Sequence, residues 1–261
     1  MIVKEVLAHR PGIELNIINR PGKWHFYDYP NVDAMQREHD ELMKVLQNNG
    51  VKVHYLRGLT ENKPKLYIIR DNAVVIGRNA ITCHFFDSVR RGEEQIVKNW
   101  LKSLGIKIAG HIFPPGFLQA SDLFFTSKTH ALAIIGSRTN IDGIKHLMNI
   151  MKIDITPIKM ESLSSTQFNI INDVAVVSEE VTYEPVYQVL KERRYDIITA
   201  TRKQTEEMGL NFLQIGDYRI VNAKSEINKK LKMIGFDVIE VGIRELMNGN
   251  TGVRNMCLPF Y

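Results

Sequence analysis

The residues able to do chemistry in this 261-residue chain are few and scattered. Its two cysteines, Cys83 and Cys257, lie too far apart for a CxxC metal or redox pair. No two of His84, His111, His130 and His146 have a ligand spacing such as HxxxH, so no metal is expected. Neither GxxxxGK[ST] nor GxGxxG occurs, so no nucleotide cofactor is expected either. What remains are charged groups at turn-like positions. Asp71 follows Arg70 between two apolar runs, Arg90 and Arg91 precede Glu93 and Glu94, and Arg138 sits in Ser137-Arg-Thr139. Each also has an ordinary reading. Asp71 suits a turn. Glu93 and Glu94 suit the positive first turn of a helix and surface pairing. Arg138 suits a solvated loop, and Lys229, Lys230 and Lys232 a solvated helix face rather than a nucleic-acid site.

Composition bounds the class. Hydrophobic residues make up 44% and charged residues 24%, which excludes a disordered chain, a collagen-like fibre and a disulfide-stapled mini-protein. A net charge of +5 and a pI near 9.1 are mild for a dedicated nucleic-acid binder. The N-terminus has charges inside its apolar run, unlike a signal peptide, and apolar stretches such as residues 131–135 are too short to cross a bilayer. With two cysteines in a chain this long, these features lead us to expect a soluble protein of the reducing cytoplasm, without a membrane partner.

The elements that must position any site repeat. Helical stretches over residues 39–48, 93–103, 142–151, 184–193 and 224–233 are each followed by a short strand: 51–56, 106–109, 153–158, 196–200 and 236–241. Leu42, Val45 and Leu46 recur at helical spacing, as do Ile96, Val97, Trp100, Leu101 and Leu104, and Ile227, Leu231 and Ile234. Gly50, Gly105 and Gly235 stand where a left-handed helix cap belongs. Paired strands precede the later helices: 66–69 with 73–76, 123–126 with 131–135, 168–171 with 174–177, and 211–215 with 218–221. Each unit reads strand, strand, helix, strand. Five in a ring predict a closed α/β propeller spanning residues 1–261 as one domain, with an open α/β sheet as the alternative.

Several segments, in order, resemble one family. Lys4-Glu-Val-Leu-Ala-His-Arg-Pro-Gly-Ile-Glu-Leu15 resembles the opening of arginine deiminases, as do Tyr27-Asp-Tyr-Pro-Asn-Val-Asp33, Glu38-His-Asp40 and Asn49-Gly-Val-Lys-Val53. Arg70-Asp-Asn-Ala-Val-Val-Ile-Gly77 is similar to that family's substrate-binding turn, Arg90-Arg-Gly-Glu-Glu94 to its basic helix start, and Gly136-Ser-Arg-Thr-Asn140 to a conserved-type loop. Asn248-Gly-Asn-Thr-Gly-Val-Arg-Asn-Met-Cys-Leu-Pro259 resembles its C-terminal nucleophile loop. The resemblance is to the guanidine-modifying, or pentein, superfamily, which includes arginine deiminases, dimethylarginine dimethylaminohydrolases, agmatine deiminases and glycine amidinotransferases. It implies a five-fold pseudo-symmetric α/β propeller of ββαβ units, the architecture the repeats also predict. The chain is too short for the extra helical domain of arginine deiminases.

The resemblance also implies a chemistry: a thiolate attacks the guanidinium carbon, carboxylates hold the guanidinium, and a histidine moves protons. Position by position the match is incomplete. Asp71 falls on the first guanidinium-binding Asp. In Leu118-Gln-Ala-Ser-Asp122 the family's Glu is Gln119 and its Asp is kept as Asp122. The His segment falls on Leu163-Ser-Ser165, and no His follows His146. Four positions before Pro259, where the nucleophile belongs, stands Asn255; Cys257 lies two residues on, on the same side if the loop is extended. Arg138 matches a residue that contacts the substrate's carboxylate. The expectation is thus a related protein that has lost guanidine hydrolysis but binds arginine or a related guanidino or amino-acid ligand through Asp71, Gln119, Asp122, Arg138 and Asn255, as a monomer or homodimer. One alternative is an active guanidino hydrolase or amidinotransferase using Cys257 as nucleophile. Another is a macromolecular binding module, since penteins include a translation initiation factor that binds the large ribosomal subunit.

Overall fold

The computed structural model describes residues 1–56, 62–160, 166–182 and 185–261. Strand β1 (Glu5–Ala8) is followed by helix α1 (Val32–Asn48) and β2 (Lys52–Tyr55). The second unit is β3 (Ala73–Ile76), β4 (Asn79–Thr82), α2 (Glu93–Ser103) and β5 (Lys107–His111). The third is β6 (Leu123–Phe125), β7 (His130–Ile135), α3 (Ile141–Met151) and β8 (Asp154–Lys159). The fourth is β9 (Phe168–Ile171), β10 (Val174–Ser178), α4 (Pro185–Glu192) and β11 (Asp196–Ala200), with a short α5 (Arg202–Glu206) after it. The fifth is β12 (Leu213–Gln214), β13 (Arg219–Ala223), α6 (Ile227–Met233) and β14 (Asp237–Val241), and β15 (Leu258–Pro259) closes the chain.

These strands form five three-stranded sheets, one per unit. In each later unit the middle strand is antiparallel to the strand before it and parallel to the strand beyond the helix. A parallel partner requires a crossover, and the helix is that crossover. In the first sheet β15 supplies the strand that a hairpin supplies elsewhere: Val6 faces Pro259 and Leu7 faces Leu258, so the two ends of the chain complete one unit. The result is the five-unit α/β propeller predicted from the repeats.

The helical periods explain the packing. Leu42 and Leu46 of α1, Val97 and Leu101 of α2, Ile144 and Leu147 of α3, Val186 and Leu190 of α4, and Ile227 and Leu231 of α6 each enter a separate buried apolar cluster with the strands of their own unit. Gly50, Gly105 and Gly235 have φ of 80°, 70° and 97°, the left-handed caps expected of them.

The structure departs from the sequence reading in several places: among them, the helix expected over 224–233 begins at Ile227, and the strand expected over 211–215 is reduced to Leu213–Gln214. Residues 66–69 are not a strand: they run through turns into a 3₁₀ turn at Ile69–Asn72, and the hairpin is instead β3 with β4 across Gly77, at φ 58°. The run is apolar because all four of its side chains are buried. Helix α1 begins earlier than its apolar period shows, because Asn31 caps it by accepting from the Ala34 amide at 3.0 Å. Ile234 lies just past α6 and is 50% exposed, not on the buried face. Among the described residues no helix is long and apolar enough to cross a membrane.

Candidate functional site

A cavity of about 430 Å³ collects residues from the loops that lead into the inner strands. Asp71 precedes β3, Gln119 precedes β6, Thr166 precedes β9 and Asn255 precedes β15, and all four line it. Lys65, Arg90, Arg138 and the glycine-containing turn at Gly249 and Asn250 complete its walls. That turn approaches Tyr67 so closely that a Cβ on Gly249 would overlap the phenol oxygen.

Charge in the wall is paired inside the protein. Arg90 turns inward from the start of α2 and binds Asp71 Oδ2 through Nη1, Glu93 Oε2 through Nη2 at 2.7 Å, and the Ile68 carbonyl at 3.1 Å. Its guanidinium also lies 4.6 Å from the Phe85 ring centroid. Burial pushes the Asp71 carboxyl upward, but Arg90, Arg138 and the Ser121 side chain outweigh it and hold it below the usual carboxylate range. For Glu93 burial prevails over Arg90 and the carboxyl is raised. Glu93 is therefore a fully buried partner of Arg90, not the surface acid its place in the helix start predicts. Arg91 points the other way and donates to the Phe85 and Phe86 carbonyls.

The Arg138-Thr-Asn140 segment forms a second knot. Arg138 Nη2 binds Asp122 Oδ1 at 2.6 Å, and Thr139 donates to Asp122 Oδ2 at 2.7 Å while accepting from the Gln119 amide at 3.1 Å. Asn140 caps α3 by accepting from Gly143 N at 2.9 Å and ties in the preceding loop through Phe117 N and the Pro115 carbonyl. Burial raises the Asp122 carboxyl against the pull of Arg138.

Lys65 is buried in the wall with no carboxylate at ion-pair distance among the described residues. Its Nζ donates to the carbonyls of His25 at 2.9 Å and Gly249 at 2.5 Å and lies 4.4 Å from the Phe26 ring centroid. Burial, reinforced by Arg90, lowers its pKa to about 7. At the mouth, His25 Nε2 meets Asp87 Oδ2 at 2.8 Å. Gln119 Oε1 and Asn255 Oδ1 are buried without a donor among the described residues, and Asp71 Oδ1 makes no close hydrogen bond beyond the help of Ser121. The buried oxygens of Gln119 and Asn255 thus lack donors among the described residues, which is costly unless a ligand or solvent supplies them.

Residues 28–261 match the family described as N,N dimethylarginine dimethylhydrolase, eukaryotic. The chain belongs to this family. The uncharacterized protein YkgA of Bacillus subtilis (strain 168) is 24% identical over 250 residues, covering 94% of this chain and 86% of that protein. Among solved structures, the dimethylarginine dimethylaminohydrolase of Pseudomonas aeruginosa, a cysteine-to-serine mutant complexed with citrulline, superposes with a TM-score of 0.83 at 20% identity over 100% of both chains. The N-terminal domain of ArgZ, an arginine dihydrolase from the ornithine-ammonia cycle in cyanobacteria, bound to product, gives a TM-score of 0.85 at 15% identity over 100% of this chain and 98% of that one.

Within this dimethylarginine dimethylhydrolase relative, four of the sequence-predicted residues meet in the cavity: Asp71, Gln119, Arg138 and Asn255. Asp122 does not line it but sits buried behind Arg138. Cys257 is not there at all. It is fully buried in a core cluster with Val6, Met43, Val253 and Met256, and burial pushes its thiol up to about 12 against the opposing effect of Arg70. The expectation of a cavity-facing Cys257 nucleophile fails because residues 253–256 form a turn, with Cys257 N bonded to the Arg254 carbonyl at 3.3 Å, so the two-residue alternation of an extended loop does not apply. The Leu163-Ser-Ser165 segment lies outside the described residues. Sequence reasoning missed Lys65, His25 and Asp87. A lysine inside the apolar run Pro64-Lys-Leu-Tyr-Ile-Ile69 was the available signal for the first; the other two come together across 62 positions without a local one.

Proposed function

We propose that this protein binds an arginine-like amino acid in the central cavity and does not hydrolyse it by the thiolate route. The observation that carries this reading is that an asparagine, Asn255, faces the cavity where the family resemblance requires the nucleophile, while Cys257 is sealed in the core. Asp71, Gln119 and Asn255, which line the cavity, carry the acceptor chemistry that suits the N–H-rich head of a guanidino or ureido group. Lys65, free of any carboxylate among the described residues, and Arg138 suit the acid end of the same ligand. Relatives supply the class: the Pseudomonas aeruginosa enzyme was solved with citrulline, and AgrE with L-arginine.

Thermal unfolding of the full chain with arginine, N,N-dimethylarginine, citrulline and agmatine tests the binding, with citrulline release assayed in parallel. The expected result is a rise in Tm with arginine and citrulline, citrulline the stronger or equal, a smaller rise with agmatine, which lacks the acid end, and no citrulline formed from the other three. Asp71→Asn and Lys65→Met should each reduce the rise. Citrulline formation that disappears in Cys257→Ser would overturn the reading, as would the absence of a shift with every compound.

A further inference from the structure

Asp71 and Arg70 are neighbours in sequence and serve different chambers. Asp71 lines the wide cavity, whereas the Arg70 side chain enters a second, smaller one of about 30 Å³. Every unit contributes to that chamber: Val3 and Tyr261 flank the first sheet, Arg70 precedes β3, and Phe124, Asn169 and Gln214 come from β6, β9 and β12. It therefore lies where the five inner strands converge. Its volume holds about one or two water-sized particles.

The chamber has an excess of positive charge. Arg70 is 97% buried, given its 3% exposure, and its Nη2 donates to the Tyr261 hydroxyl at 2.6 Å, but its Nε and Nη1 have no acceptor among the described residues. Arg254, also lining the chamber and 4% exposed, donates to the Ser121 carbonyl at 2.8 Å and the Leu123 carbonyl at 2.6 Å. Among the described residues neither guanidinium has a carboxylate within 4.0 Å. The carboxylates acting on Arg254 from further off, Asp122 and Asp71, are each already held by another arginine, Arg138 and Arg90. Burial together with the charge of Arg70 pushes the Arg254 guanidinium well below its ordinary value. A buried charge without a counter-charge is far costlier than a buried neutral group, and two buried N–H groups without acceptors add to that cost.

We infer that this axial chamber is a binding site for one small monovalent anion of halide size, held by the buried guanidiniums of Arg70 and Arg254, with the Met1 ammonium, which donates to Gln214 Oε1 at 3.0 Å, as a further cationic group in its lining. Water fits the volume but leaves the two charges uncompensated, and oxyanions as large as sulfate exceed it. The anion is a structural ligand that locks the inner ends of the five units together.

The test compares thermal unfolding of the full chain in sodium chloride, sodium bromide and sodium gluconate at equal ionic strength. At halide concentrations about tenfold above the dissociation constant, Tm should exceed that in gluconate by about 3–6 °C, and Arg70→Met should abolish the difference. Crystals of the unmodified protein grown in bromide should show an anomalous peak between Arg70 and Arg254, a readout that stands even where Arg70→Met does not fold. Equal Tm in halide and gluconate, a halide effect that survives Arg70→Met, or a chamber holding only water in bromide crystals would overturn the inference.

Discussion

A thiol with a pKa near 12 is a poor nucleophile at neutral pH, and the size of the effect follows from its ionisation. An ordinary cysteine of pKa about 8.5 is about 3% thiolate at pH 7. Cys257, raised to about 12 by burial, is thiolate in roughly one molecule in 10⁵. Ionisation alone therefore slows alkylation by a factor of roughly 3 × 10³, and the core cluster around the sulfur must open before a reagent reaches it. Iodoacetamide labelling at pH 7, with the alkylated peptides quantified by mass spectrometry, should find Cys257 unmodified in the native state over a time that fully labels it in urea. Cys83, buried and likewise raised, should follow the same course. Asn255→Cys places a thiol on the cavity wall with Lys65 and Arg138 and should label faster than native Cys257. Native Cys257 labelling at the rate of an ordinary thiol would show that its sulfur reaches the ligand or solvent, and the argument for a lost nucleophile would fall.

Arg90→Met leaves Asp71 and Glu93 buried without their shared cation, and should cost about 3–5 kcal/mol; thermal unfolding should show a drop of roughly 6–20 °C, part of which Glu93→Met restores in the double variant. Lys65 binds its proton less tightly folded, at about 7, than unfolded, at about 10.4, so stability rises with pH across that window by up to about 5 kcal/mol; urea unfolding should find Lys65→Met more stable than the parent at pH 7, with the gap closing toward pH 10. Asn140→Ala removes the cap of α3 and two further hydrogen bonds, and should lower stability by about 1–3 kcal/mol in the same measurement.

The five-fold architecture was legible because each helix carries its own 3.6-residue apolar period and three of them end at a glycine that takes a positive φ. Paired short runs flanking turn residues marked three of the four later hairpins. The second unit misled because its apolar residues 66–69 are buried on all sides in turns, and a fully buried run has no alternation to distinguish strand from turn. In the site, the resemblance brought Asp71, Gln119, Arg138 and Asn255 to one cavity. It did not reveal that Glu93 is buried, since an acid in a first helical turn looks the same whether it faces water or an inward-turned arginine. Nor did it reveal Arg70, whose role depends on its side chain leaving the chain opposite to Asp71, a property of the 3₁₀ turn at Ile69–Asn72.

If the wide cavity binds an arginine-like ligand as proposed, that turn favours a neutral head group at least as much as a cationic one. Asp71 already carries a guanidinium belonging to the chain, and Arg90 is fixed a second time by Glu93 and a third by the Ile68 carbonyl. A ligand guanidinium would have to share Asp71 with Arg90 and bear the repulsion of that neighbouring cation. Besides Asp71, the only carboxylate lining the cavity among the described residues is Asp87 at the mouth, where it meets His25 and the Val89 amide; the family's Glu is Gln119. Amide oxygens at Gln119 and Asn255 accept hydrogen bonds without adding charge, and their amide nitrogens can donate to a ureido oxygen. A guanidinium receives nothing from those donors, because it has no acceptor. On the proposed reading, Gln119 and Asn255 would thus shift what the cavity recognises from a cation held by carboxylates toward a neutral group held by amides.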